Sequence, residues 1–463
     1  MRKNHILSAL AMAAVTFGVT ACADTDAQYS IPDVDAPQFV ASTPEVGAGN
    51  VKRGNVTVTV KYDKRVFFAS QDKDKIEVSG GALTNAIVYG TDSLLTMTLN
   101  VPNRGQNVTI TVPEGVVTNS QGKPAASVNV NFTTTDLDKT PVMATSASAK
   151  ALYNYLLENV DNKIISGMMA NVAWNQDCAD KVNEWTGKYP AINGFDYLHM
   201  AASKAGANWI NYKDITPVKN WYDNNGIVQL MWHWNVPKSE PKTGLDPNKD
   251  YNCYIKTNDN DGTTFDAANA LTEGTWENEV WKDDMKTLKE YLTLLKDANI
   301  PVLWRPFHEA SGKWFWWGKD AESFKKLWIE MYNELKDAGL DNLIWVWTSC
   351  GKDNDWYPGD AYVDVVARDL YGDNESTCAT EYSDLGATYG NKIVTLGECG
   401  YSTYTTSQIA TISKQWNAGA KWSWFMVWYN DEDSHTYHST QEWWQDAMSQ
   451  PNVITRDQVP SMK

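Results

Sequence analysis

The sequence predicts a multidomain protein: an N-terminal β-sandwich followed by a (β/α)8 barrel. Two rhythms carry that prediction. From about residue 36 to 136, apolar residues recur at every second position, the period of a half-buried strand. From about residue 140 the chain repeats a short apolar run, a loop and a helical stretch, and eight such runs follow one another. That order builds a closed parallel barrel. The 463 residues, 43% of them hydrophobic, suffice for more than one core.

The first segment is a targeting signal rather than part of the fold. Arg2 and Lys3 precede an apolar run over residues 6–21, too short to span a membrane stably. The run ends Val19-Thr20-Ala21-Cys22. Small residues before a cysteine resemble a bacterial lipobox, which implies removal of residues 1–21 and lipidation of Cys22. Plain secretion with ordinary cleavage is the other reading. Residues 22–35, with Asp24 and Asp26, form a polar tether. The expected location is that of an exported bacterial lipoprotein at the outer membrane or cell surface, touching the membrane through its lipid alone.

Within residues 36–136, Val56, Val58, Val60 and Tyr62 form one alternating face. Leu95, Met97 and Leu99 form another, followed by Val108, Ile110 and Val112 and then Val128, Val130 and Phe132. Gly80-Gly81 and Asn103-Arg104-Gly105 punctuate the gaps. Short alternating strands of this kind indicate an antiparallel sandwich. The segment resembles a bacterial immunoglobulin-like module. It carries no cluster of titratable groups, so a spacer suits it better than a sugar-binding role.

The barrel strands are expected at residues 164–169, 191–196, 227–234, 300–307, 343–348, 363–371, 393–398 and 422–428. Met285, Leu288, Leu292 and Leu295 show helical 3-4-3 spacing before the fourth run, and residues 321–338 form another clear helix. In such barrels the chemistry sits at the C-terminal strand ends.

The richest of those ends runs from Trp304 to Gly318. An apolar run closes on Arg305, His308 and Glu309, and the next loop holds Trp314, Trp316 and Trp317. Indole faces stack on the apolar faces of sugar rings. A carboxyl in that low-dielectric setting has its charged form disfavoured, so it keeps a proton to give to a leaving oxygen. Glycoside hydrolysis needs a second carboxyl on the other side of the bond. Glu398 ends the seventh run, and Gly397 and Gly400 leave room there for a ligand to approach the backbone. Strands four and seven face each other across the mouth, which suits the roughly 5–5.5 Å separation of a retaining pair. His233, between Trp232 and Trp234 at the third strand end, is placed to bind sugar hydroxyls. Tyr371, closing the sixth strand, is placed to donate a hydrogen bond to Glu398. Asp369 is either a structural acceptor or part of the site. Trp428, at the end of the last strand, is the sugar platform.

The segment Arg305-Pro306-Phe307-His308-Glu309 followed by Trp314-Phe315-Trp316-Trp317-Gly318 resembles glycoside hydrolase family 26, whose best-known members are endo-β-1,4-mannanases. The resemblance covers roughly residues 140–450, within a catalytic domain expected over 140–455. It implies that Glu309 is the acid/base and Glu398 the nucleophile. His308 matches the histidine that this family places before the acid, where barrel relatives place asparagine. His233 matches the histidine of the sugar subsite before the cleaved bond, Trp314 the aromatic near the cleavage point, Tyr371 the tyrosine touching the nucleophile, and Trp428 the last-strand tryptophan. The implied activity is that of a retaining endo-β-1,4-mannanase on β-mannan, galactomannan or glucomannan. Mixed-linkage β-glucan or xylan are alternative substrates. A non-catalytic surface glycan-binding lipoprotein is the alternative class, but it would be free to lose one carboxylate, and both are present.

The formal net charge of −17 repels nucleic acid and anionic polysaccharides and leaves a neutral, hydroxyl-rich partner. The 22 tryptophans exceed the needs of a core, so many are expected to line a surface or cleft. No metal-ligand spacing and no phosphate loop appears, so no metal or cofactor is expected. Apart from Cys22 the cysteines are Cys178, Cys253, Cys350, Cys378 and Cys399. They form no CxxC pair and are expected to be mostly free, buried thiols. A monomer is expected.

Overall fold

The computed structural model describes residues 31–69, 72–171, 174–241, 244–402, 406–431 and 437–463. The expected signal segment, Cys22 and most of the tether lie outside the described residues.

Two four-stranded sheets occupy the region from Phe39 to Thr134. One runs in the order Phe39–Thr43, Gly54–Tyr62, Leu94–Val101, Ala82–Ile87. The other runs Ala48–Val51, Val128–Thr134, Asn107–Val112, Glu77–Ser79. The period-two pattern does what it predicts: Val58, Val60, Leu95, Met97, Leu99, Val108, Ile110 and Val130 are fully buried in one shared core. The pairing of Val128–Thr134 with Ala48–Val51 is parallel, which departs from a purely antiparallel sandwich. The other pairings within the two sheets are antiparallel.

The second region is a closed barrel of eight parallel strands. In chain order they are Ile164–Met169, Ile192–Asp196, Ile227–Trp232, Val302–Pro306, Leu343–Ser349, Val365–Tyr371, Ile393–Gly400 and Trp424–Val427. Each pairs with the next, and the first also pairs with the last. Parallel strands covered on both faces read as unbroken apolar runs, which is why the expected spans agree with these to within two residues at each end. One set of alternating residues, including Ile165, Ile192, Ile227, Leu303, Ile344, Val365, Ile393 and Trp424, fills the interior. The opposite set, including Val302, Trp304, Trp345, Val366 and Phe425, packs against the helices.

Those helices are set by caps and apolar stripes. Thr275 caps Trp276–Asp297, which buries Met285, Leu288, Leu292 and Leu295. Asp320 caps Ala321–Asp337 by accepting from the Ser323 amide at 2.8 Å. No described helix is long and apolar enough to cross a membrane.

The expectation for tryptophan is corrected here. Twelve tryptophans are fully buried, among them Trp316 and Trp317 of the loop that follows Glu309. An eight-stranded barrel inside a ring of helices has a wide annulus to fill, and indoles fill it. Trp314, 42% exposed, is the member of that loop left facing outward. The five expected thiols are free, and all but the partly buried Cys350 are buried.

The two regions meet at Asp161. Its carboxylate pairs with Arg53 at 3.2 Å and Arg104 at 3.3 Å from the two-sheet region, and accepts from the Tyr382 hydroxyl of the barrel at 2.6 Å.

Candidate active site

The fourth strand supplies two inward side chains, Leu303 deep in the barrel and Arg305 one layer higher. Beyond Pro306 the backbone turns sharply. Phe307 and Glu309 both have positive φ, 47° and 51°, a conformation that costs of order 1–3 kcal/mol per residue and is tolerated where function requires it. The turn is pinned by buried indoles: Trp317 donates to the His308 carbonyl at 2.9 Å and Trp316 to the Trp234 carbonyl at 2.8 Å. Trp316 and Trp317 are therefore buried supports of the turn that carries Glu309, not faces open to the cleft.

The seventh strand would aim Glu398 away from the site if it were regular, because Ile393 and Thr395 already occupy inward positions. A bulge intervenes. Arg368 pairs with Leu396 and Asp369 with Glu398, leaving Gly397 unpaired. The bulge shifts the parity, and Glu398 enters the mouth. A Cβ on Gly397 would lie 2.8 Å from both the Ala367 Cβ and Asp369 Oδ1, so the space expected for a ligand at Gly397 is taken by the protein. The same holds at Gly400, where His438 fills the room.

Glu309, Asp369 and Glu398 bring carboxylate oxygens within 4.8 Å of one another. Arg305 sits among them. It donates to Glu398 Oε1 at 2.6 Å, to Thr348 Oγ1 at 2.9 Å, and to Asp369 Oδ2. Tyr371 donates from its hydroxyl to Glu398 Oε2 at 2.7 Å, as the sequence predicts. Both oxygens of Glu398 are thereby fixed in direction. One guanidinium cannot balance three carboxylates. Burial, with the charges of Asp369 and Glu398, pushes Glu309 well above its ordinary value. Burial raises Asp369 to about 7. The proton rests on Glu309, because Asp369 is bound directly to Arg305. The three carboxylates are also the described cluster with cation-binding spacing. Two of them already bond to Arg305, which supplies positive charge there.

The remaining expected residues line the same cleft of about 470 Å³: His233, His308, Trp314 and Trp428. His233 is oriented by Asp196, whose carboxylate accepts from the His233 amide at 3.0 Å and bonds Nδ1 at 2.5 Å. The His308 ring lies 4.3 Å from that of His233, nearly perpendicular. Burial, with the nearby His233 and Arg305, pushes His308 well below its ordinary value, so it is neutral. Trp428 packs edge-on to His233 at 5.7 Å.

Sequence reasoning assigned no role to Arg305, Asp196, Tyr254 or His438, and it left Asp369 open. Arg305 and Asp196 each stand at a strand end, the signal that identified the others. Tyr254 lies in an aperiodic loop. The Ile255 amide donates to the Trp314 carbonyl at 2.8 Å, and the Trp316 amide to that of Cys253 at 2.9 Å, so Tyr254 joins the cleft wall.

A closed parallel barrel with two carboxylates meeting at its C-terminal mouth defines the architecture of a two-carboxylate glycosidase. Residues 142–458 match the profile described as Glycosyl hydrolase family 26, and the chain belongs to that family. The family 26 domain of an endo-β-mannanase/endo-β-glucanase from Prevotella bryantii is 44% identical with a TM-score of 0.65, covering 70% of this chain and 99% of that one. A β-mannanase from a symbiotic protist of the termite Reticulitermes speratus, solved with a gluco-manno-oligosaccharide, is 32% identical with a TM-score of 0.60, covering 70% and 99%. A mannan endo-1,4-β-mannosidase of Thermothelomyces thermophilus is 32% identical over 319 residues, 68% of this chain and 61% of its own length. The chain spans about half to three-fifths of the length of the curated relatives it resembles in this way.

Proposed function

We propose that this chain is a retaining endo-β-1,4-mannanase acting on β-mannan, galactomannan or glucomannan. Glu309 gives its proton to the glycosidic oxygen while Glu398 attacks the anomeric carbon, forming a glycosyl-enzyme. Glu309, now a base, then takes a proton from the water that releases the sugar. The observation that carries this reading is the carboxylate cluster. Chosen oxygens of Glu309 and Glu398 lie within 4.8 Å, which suits a retaining pair at roughly 5–5.5 Å better than an inverting pair at roughly 6.5–9.5 Å. His233, His308 and Tyr371 contact the sugar before the cleaved bond, Trp428 is its platform, and Trp314 faces the sugar near the cleavage point. A cleft open to solvent and a neutral substrate agree with the acidic surface. Cleavage of β-glucan is the second reading, favoured by the similarity to the domain of the Prevotella bryantii endo-β-mannanase/endo-β-glucanase. The N-terminal region is proposed as an immunoglobulin-like spacer on an exported, monomeric lipoprotein anchored at Cys22.

Reducing-sugar release from mannan, glucomannan, xylan and mixed-linkage glucan tests the substrate. Release is expected from mannan and glucomannan, with Glu398→Ala lowering turnover by about 10⁴-fold or more in a folded protein. Near-normal hydrolysis by that variant would overturn double displacement through Glu398, and glucan as the sole substrate would overturn the sugar.

A further inference from the structure

The loop after the last barrel strand brings one more side chain to the nucleophile. His438 lines the cleft beside Glu398 and Tyr371, with its ring 5.8 Å from that of Tyr371. The loop fixes it closely. Its amide donates to Asn430 Oδ1 at 2.6 Å, and its carbonyl accepts from the Tyr401 amide at 2.8 Å. Asn430 also bonds the Ser439 amide and carbonyl, at 3.1 and 3.0 Å. Gly400, two residues past Glu398, admits the histidine. A Cβ there would stand 2.8 Å from the Cβ and the carbonyl oxygen of His438. The seventh strand end and this histidine are therefore fitted to each other.

The protonation of the ring follows from one contact. Nδ1 lies 2.7 Å from the Tyr429 carbonyl oxygen. A carbonyl only accepts, so Nδ1 carries the hydrogen and the neutral ring leaves a lone pair on Nε2. Burial pushes His438 below its ordinary value, against the opposing effects of the Tyr429 carbonyl and Glu398, which keeps the ring neutral. Nε2 has no partner among the described residues. The groups beside it in the cleft differ in kind: Tyr371 spends its hydrogen on Glu398.

We infer that His438 Nε2 accepts a hydrogen bond from a hydroxyl of the sugar whose anomeric carbon Glu398 attacks. His438 is then a substrate-binding and specificity-determining residue of this site. The inference rests on the hydrolase reading above. A fixed, acceptor-only nitrogen selects a sugar hydroxyl pointing at it and offers nothing to a ring carbon lacking one, since the nitrogen would then be desolvated and unpaired.

Two variants separate this role from mere support of the loop. An asparagine amide reproduces Nδ1–H but does not reach Nε2. A glutamine amide reaches the Nε2 position with an acceptor oxygen but not the Tyr429 carbonyl. His438→Asn is expected to lower kcat/KM about tenfold, equally on mannan and on aryl mannosides, because both must place a sugar there. His438→Gln is expected to recover most of that loss. Wild-type kcat/KM in His438→Asn, or equal losses in both variants, would overturn the inference. The wild type and Glu398→Ala serve as controls: if the wild type releases no sugar, or Glu398→Ala keeps turnover, the double-displacement reading has failed rather than the role of His438.

Discussion

Two arginine–carboxylate clusters in this chain are built from the same residue types and differ in one ratio. At the junction of the two regions, Asp161 is a single acid between Arg53 and Arg104, with the Tyr382 hydroxyl as a further donor. At the barrel mouth, Arg305 alone serves Glu309, Asp369 and Glu398. Burial raises Asp161, but Tyr382 and the two arginines outweigh it, and the carboxyl lies below its ordinary value. At the mouth, burial is joined by like charges and the single arginine cannot offset both, so Glu309 keeps its proton. The first cluster is an ion-paired strut, and the second keeps a proton on a buried carboxyl, the arrangement that the proposed acid role requires.

The sharpest break of that comparison is removal of the stored proton. Glu309→Ala should cost about 10²–10⁴-fold on mannan, where the leaving sugar needs protonation. It should cost far less in the first step on aryl glycosides whose leaving groups depart as anions. Steady-state and pre-steady-state rates on both substrates check this. Equal losses on both would show that Glu309 is not the acid.

The strand ends that line the cleft were legible because residues such as Glu309, His233 and Tyr371 terminate apolar runs. Burial on both faces makes barrel strands plain in a sequence. Three things were not legible. Glu398 reaches the site through a bulge at Gly397, and a strict period of two would have turned it outward. Glycine before Glu398 is compatible with a bulge but equally with an open approach for ligand, and sequence does not separate them. The tryptophans misled for a related reason. Composition counts indoles but not the annulus between barrel and helices that Trp304, Trp345, Trp347 and Trp422 fill. The partners that tune the site, Arg305 on its acids and Asp196 on His233, are contacts across strands far apart in sequence, with no local period to reveal them.

A milder change alters the ratio without removing the acid. Asp369→Asn takes one negative charge from beside Glu309. The ionised form of Glu309 then becomes easier to reach, so its titration moves down, and the alkaline limb of kcat/KM should move to lower pH. Arg305 also loses a charged partner, an interaction worth about 1.5–3 kcal/mol. The pH-independent kcat/KM should therefore fall about tenfold to a hundredfold. A limb that stays in place would mean that Asp369 does not hold the proton on Glu309.

The smallest effect is expected at the other cluster, and its sign follows from the direction of the shift. Asp161 is lowered in the folded chain, so it stabilises the fold above the unfolded carboxyl value, and that contribution disappears as pH falls through the lowered one. Its side chain is 33% exposed, and solvent screens part of the attraction, which limits the loss in Asp161→Asn to about 1 kcal/mol. Thermal unfolding should show a small fall in Tm near neutral pH that shrinks in acid, with kcat/KM on mannan unchanged. If Asp161→Asn instead lowered kcat/KM as much as Asp369→Asn, the two clusters would be coupled, and the ratio of acids to arginines would not be what separates strut from donor.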